Sequence, residues 1–146
     1  MPELIFRGGR LQEADRVWCA WTSQDLKAML KEIDTPTNPI DRHFLLQSIV
    51  KETYKLRRKD NKMRDLCEEI AWKHINEFPS LAESLKDIDG NLPRVPTFQH
   101  LSTVLVEKDE YEAAIKVCET ALSLGLHDGT KGGFQGRIER ITKKKG

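Results

Sequence analysis

The stretch from Val95 to Leu126, VPTFQHLSTVLVEKDEYEAAIKVCETALSLGL, constrains the fold more than any other part of the chain. It carries two apolar stripes at helical spacing, separated by a short polar turn at Lys108-Asp109. Phe98, Leu101 and Leu105, with Val104 beside them, line the first stripe. Tyr111, Ala114, Ile115, Cys118, Ala121 and Leu122 line the second. Recurrence at i, i+3, i+4 and i+7 predicts amphipathic helices, because side chains so spaced share one face. A connection this short turns the second helix back along the first, giving an antiparallel helical hairpin.

That hairpin resembles a tetratricopeptide repeat (TPR), a helix–turn–helix unit of about 34 residues. The first-helix signature of an aromatic, a Leu and a small residue is met by Phe98, Leu101 and Ser102. The second-helix signature is met by Tyr111, by Ala114-Ile115 and by Ala121-Leu122, with the small alanines allowing close backbone approach. Three positions depart from the pattern: Leu105 replaces an aromatic, Cys118 a Phe or Tyr, and Leu126 the closing Pro. The resemblance implies stacked antiparallel helical hairpins, a TPR-like right-handed array whose concave face is lined mainly by the first helix of each pair. On that reading Gln99, Thr103, Val106 and Glu107 are candidate partner-binding groove residues, since Phe98, Leu101 and Leu105 face the partner helix. Ordinary solvent-facing positions would show the same spacing.

The remaining sequence predicts an all-α fold of six or seven helices in a single helical domain over 1–146. Residues 1–37 hold an N-terminal segment and the first helices, 38–94 a first helical hairpin and a short helix, and 95–146 the TPR-like hairpin with a C-terminal capping helix. Leu4-Ile5-Phe6 reads as a short extended piece and Gly8-Gly9 as a turn or joint. Leu11, Ala14, Trp18 and Trp21 sit at helical spacing, predicting a helix from about Leu11 with both tryptophans in the core. Thr22-Ser23-Gln24-Asp25 fits an acidic capping box, with Trp21 and Leu26 placed as a hydrophobic staple around it. Leu26, Met29, Leu30 and Ile33 then form one helix face.

Asn38 suits the cap of the following helix and Pro39 its first position, where the missing N–H would be unpaired anyway. The wide apolar face of Phe44, Leu45, Leu46, Ile49, Val50 and Tyr54 predicts a central helix ending near Arg58. After Lys59-Asp60-Asn61, the stripe Met63, Leu66, Cys67, Ile70, Ala71, His74, Ile75, Phe78 predicts its antiparallel partner. Pro79 is expected to end that helix, and Ser80-x-x-Glu83 to cap a short one carrying Leu81, Leu85 and Ile88. Gly125 fits a left-handed helix end with Leu126 packing back. Phe134, Ile138 and Ile141 give the last helix one apolar side, as a capping helix needs.

Charge enters through its distribution. The net charge is only +1, yet Lys55 to Arg64 and Lys131 to Lys145 each carry six basic residues and one acid on an otherwise acidic chain. Arg57, Arg58, Lys59, Lys62, Arg64, Arg137, Arg140 and Lys143 are therefore candidate polyanion-binding residues. Cations complementing helix C-termini would give a similar pattern.

No chemistry-bearing motif accompanies these features. His43, His74, His100 and His127 include no i, i+4 pair, there is no Cys-x-x-Cys, and Asp87-Ile88-Asp89-Gly90 lacks the remaining ligands of a calcium loop. His74, inside an apolar stripe, reads as a satisfied core histidine. Gly129-Thr130-Lys131-Gly132-Gly133 has its lysine ahead of the paired glycines and fails the phosphate-loop pattern. No nucleophile–base arrangement is readable. Neither enzyme activity nor a cofactor or metal is expected. Cys19, Cys67 and Cys118 are odd in number and set in apolar stripes, which predicts buried reduced thiols in a cytoplasmic protein. The N-terminus lacks a signal-peptide pattern, and no apolar run approaches the roughly 18 residues of a membrane span. The expected function is a non-catalytic module binding a protein or peptide partner; the alternative is an adaptor for nucleic acid or another polyanion. Partner identity and oligomeric state are left open.

Overall fold

Backbone hydrogen bonding and apolar periodicity agree over most of the chain, and the described residues form a row of seven helices packed on their neighbours. The computed structural model describes residues 4–7, 10–13 and 15–146, with side chains from residue 15 onward. Two strands, β1 (Leu4–Arg7) and β2 (Arg10–Glu13), pair antiparallel with Leu4 opposite Glu13 and Arg7 opposite Arg10. The helices are α1 (Arg16–Ser23), α2 (Leu26–Lys31), α3 (Pro39–Leu56), α4 (Asn61–Leu85), α5 (Pro96–Glu107), α6 (Tyr111–Ser123) and α7 (Gly133–Lys145). Helix α3 is central, packing on α1, α2, α4 and α5, while α5, α6 and α7 continue the row.

The N-terminal third corrects several expectations. Leu11 lies in β2, so no helix starts there, and Ala14 falls outside the described residues. The helix begins at Arg16, where Asp15 caps it by accepting the Trp18 N–H at 2.8 Å. No capping box forms at Thr22: α1 runs through Ser23, Gln24 turns left-handed at φ 60°, and Asp25 caps α2 through the Lys27 N–H. Trp21 serves the core instead of a staple. Its ring stacks on Phe44 at 4.9 Å between centroids, and its Nε1–H donates to buried Asp41 at 3.0 Å. Cys19 is exposed, since α1 turns Val17 and Ala20 inward; Cys67 and Cys118 are buried.

Asn38 caps α3 through the Asp41 N–H, with Pro39 in the first turn. Helix α4 runs through Pro79 without a break, and the expected Ser80–Glu83 capping box does not form. A helix-interior proline costs about 3 kcal/mol, but burying a Phe or Leu side chain stabilises by about 1.5–3 kcal/mol. Phe78 is fully buried and Leu81 nearly so, and both keep their places only if the helix continues. Pro79 itself lies on the exposed face, where its ring displaces no core side chain. Ile88, expected inside a helix, is fully exposed in the loop after α4.

The α5–α6 hairpin forms as its stripes predict, with Asp109 at φ 61° closing the turn. Ala114 and Ala121 are fully buried, as are Phe98, Leu101 and Cys118. The phase of α6 is shifted slightly, so that Val117 is buried and Leu122 is 40% exposed. Gly125 takes φ 76°, Gly125 N–H donates to Leu122 O and Leu126 N–H to Ala121 O, the paired bonds of a Schellman helix end. Phe134 and Ile141 of α7 close the same core.

A polar chain crosses the middle of that core. His74 Nδ1 lies 2.7 Å from Thr97 Oγ1, and His74 Nε2 lies 2.9 Å from His43 Nδ1. Burial lowers the pKa of His43 to about 4 and that of His74 to about 3, so both rings are neutral at pH 7. His74 is thus a satisfied core histidine linking α3, α4 and α5.

Candidate functional site

Sequence alone leaves open whether the two basic segments meet. They do, at one cleft of about 440 Å³ between α5 and α7. Helix α5 contributes Ser102, Thr103, Val106 and Glu107, α7 contributes Arg137, Arg140, Ile141 and Lys144, and Arg58 reaches in from the end of α3. The floor is aliphatic, with Ile141 buried and Val106 half-buried, and the rims are charged.

The rim at α3 and α5 is a closed ion-pair cluster. Arg57 Nε and Nη2 donate to the two carboxylate oxygens of Glu107 at 2.9 and 3.1 Å, and Arg58 Nη2 donates to Glu107 Oε2 at 2.9 Å. The Arg57 hydrogen bonds, then those of Arg58, hold the Glu107 carboxyl below its ordinary range. The Arg57 guanidinium also sits over the Tyr54 ring, 3.7 Å from its centroid, and Tyr54 stacks on His100 at 4.0 Å. Burial, with Arg57 and Arg137 nearby, lowers the His100 pKa to about 4, so this imidazole is neutral as well.

The rim at α7 is open. Arg137 Nε donates to Asp128 at 3.0 Å, while Arg140 and Lys144 make no ion pair with a described residue. Arg137, Arg140, Ile141 and Lys144 fall on one helix face because they are spaced i, i+3, i+4 and i+7.

Of the sequence-predicted groove residues, Thr103, Val106 and Glu107 line the cleft; half-buried Gln99 does not, its carbonyl accepting from Ser102 and Thr103 instead. Among the predicted polyanion contacts, Arg58, Arg137 and Arg140 line it, and Arg57 braces Glu107 behind the rim. Lys59, Lys62 and Lys143 are exposed outside it. Arg64 borders a neighbouring hollow with Asn61, and its Nε is buried without a hydrogen bond. Sequence reasoning missed Ser102, Ile141 and Lys144 as lining residues, and Asp128 as the partner of Arg137. The i, i+7 spacing of Arg137 and Lys144 was the available signal for the latter lysine.

Among the described residues no group of three His, Cys, Asp or Glu side chains is placed to hold a metal ion, and no helix is long and apolar enough to cross a membrane. No protein-family model matches the chain, and no curated protein or solved structure matches it either.

Proposed function

We propose that this protein is a non-catalytic, TPR-like binding module that holds a protein or peptide segment in the cleft between α5 and α7. One observation carries the reading: α5 and the two basic segments converge on a single cleft with an aliphatic floor and charged rims. A small apolar floor of Val106 and Ile141 between charged rims suits a peptide segment, which can offer an apolar side chain and charged groups side by side. Two features support the TPR-like comparison. The hairpins α3–α4 and α5–α6 follow one another, and α3 packs on α5, so the first helices of successive pairs lie side by side. Helix α7 packs on α6 and gives the cleft its second wall. Cys67 and Cys118, buried apart as free thiols, suit a cytoplasmic setting.

The polyanion reading stays as the second, on the strength of Arg140 and Lys144, which make no ion pair with a described residue. It is weaker because Glu107 already occupies Arg57 and Arg58, and because exposed Lys59, Lys62 and Lys143 do not line the cleft. Selection of a random peptide library against the folded chain tests the choice. Binders should lose affinity for a Val106→Asp variant, which puts a charge on the floor. A library with no floor-dependent binder, together with salt-sensitive binding of a single-stranded oligonucleotide, would replace the first reading with the second.

A further inference from the structure

The loop between α6 and α7 contains a buried carboxylate, Asp128, that no periodicity or motif marks. The Asp128 side chain is 0% exposed. Its Oδ1 accepts the Thr130 N–H at 2.9 Å and the Thr130 hydroxyl at 2.6 Å, which leaves Oδ2 for Arg137 Nε at 3.0 Å. Burial alone would raise this carboxyl; the hydrogen bonds from Thr130 and Arg137 outweigh it and hold the pKa below the ordinary value, so the group is charged. A loop residue thus reaches forward onto α7 and fixes one arginine.

Arg137 spends only Nε on that contact. Its two terminal nitrogens donate to no described residue, and its side chain, 19% exposed, opens onto the cleft. A guanidinium held at Nε with both ends free is a preorganised fork for a planar anion, since little rotamer entropy remains to be lost on binding. Arg140 and Lys144 follow on the same face. The opposite rim differs, because Glu107 satisfies Arg57 and Arg58.

We propose that the cleft selects an acidic peptide segment, receiving one carboxylate on the terminal nitrogens of Arg137 with an adjacent apolar side chain on Val106 and Ile141, and that Asp128 is the positioning residue for this fork. The proposal rests on the peptide-groove reading above and names its ligand chemistry. Two features favour a peptide over a nucleic acid. Among the described residues no aromatic ring lines the cleft, so bases find no stacking platform there. The Glu107 carboxylate stands on the facing rim, which suits an isolated anion better than a continuous row of phosphates.

The test is fluorescence anisotropy of the full chain with a fluorescein-labelled peptide of alternating Asp and Leu, beside a matched Asn and Leu peptide and a labelled oligothymidine. The Asp/Leu peptide should bind most tightly. Arg137→Lys keeps the charge and loses the fork, and should weaken binding about tenfold. Asp128→Ala should weaken it to a similar extent although it removes a negative charge beside the cleft, and Asp128→Asn, which keeps an acceptor, should recover part of the loss. Glu107→Gln, the electrostatic control, should tighten binding. Circular dichroism melts check the fold of each variant, and Arg137→Lys keeps the test open if Asp128→Ala unfolds. Tighter binding by folded Asp128→Ala would mean that bulk charge alone attracts the peptide, and would overturn the proposal. Preference for oligothymidine would overturn it too. If library-selected peptides bind in a Val106-dependent way while the Asp/Leu peptide does not, the acidic chemistry falls and the binding-module reading stands.

Discussion

Arg57 and Glu107 meet through two parallel hydrogen bonds of 2.9 and 3.1 Å, tying the end of α3 to the end of α5. Their side chains are 11% and 27% exposed, so the pair is shielded well enough to contribute to stability. Charge-assisted hydrogen bonds of this kind contribute about 1.5–3 kcal/mol, whereas exposed ion pairs contribute about 0–1 kcal/mol. Arg57→Ala should therefore destabilise the fold by about 2 kcal/mol. Arg58→Ala, whose side chain is 75% exposed, should fall within about 0.5 kcal/mol of wild type. Urea unfolding of the two variants checks the ranking, and equal effects would mean the bidentate pair is no stronger than a surface contact.

Pro79 gives a second prediction. Its N–H is missing from the α4 ladder at an exposed position. Replacement by Ala restores a helix donor, offset by the greater freedom that Ala gives the unfolded chain, about 0.4–1 kcal/mol. Pro79→Ala should raise stability by roughly 2–2.6 kcal/mol. A helix ending at Phe78, as the sequence suggested, would instead show little change. The melting temperature separates the two.

The places where sequence reasoning succeeded and failed have physical reasons. Helices α3, α5, α6 and α7 were legible because each carries a long stripe in one phase, and the cap at Asn38 and the stop at Gly125 have local signatures. Pairing of β1 with β2 was not, since the spacing of Leu11, Trp18 and Trp21 mimics a helix face while strand pairing depends on a segment outside that window. Continuation through Pro79 was hidden because burial of Phe78 and Leu81 outweighs a local rule. At the candidate site, the α5 face was readable from its stripe, but the choice of Lys144 over Lys143 depends on the rotation of α7 against the core. Asp128 has no periodic signature at all: it is a loop acid nine residues before the arginine it holds.

The helix contact at Ala114 predicts the outcome of overfilling. Ala114 has no exposed surface in the packed α5–α6–α7 region. Ala114→Leu must push neighbouring side chains off their rotamers, costing about 1–3 kcal/mol. Thermal melts comparable to those of a surface substitution would show that this face of α6 is not packed as described.

The thiols should separate into two classes. Cys19 is exposed, whereas Cys67 and Cys118 are buried. Burial raises the Cys67 thiol above its ordinary value and the Cys118 thiol to about 11, which starves both of reactive thiolate. A thiol reagent at pH 8 should modify one cysteine quickly in the native protein and the other two only after denaturation. Mass spectrometry of the labelled peptides identifies them, and rapid native labelling at Cys118 contradicts its place in the core.

The buried imidazoles set the pH dependence of stability. His43, His74 and His100 have folded pKa values of about 4, 3 and 4, all lowered chiefly by burial, while an unfolded histidine titrates near 6.5. Between about pH 6.5 and pH 4 the unfolded chain thus binds more protons than the folded one, and stability falls as the pH falls. The contribution is fully present above the unfolded value and is lost on acidification through this window. For His43 alone the loss at pH 4 is roughly 3 kcal/mol, a large part of the 5–15 kcal/mol that holds a typical domain together. Glu77 and Glu107, held low mainly by Arg42 and Arg57, add losses of the same sign at still lower pH. Urea unfolding at a series of pH values should show a midpoint that is flat near neutrality and drops steeply below about pH 6. A midpoint unchanged down to pH 4 would mean that His43 and His74 are not neutral and buried, and the polar chain from His43 through His74 to Thr97 would have to be redrawn.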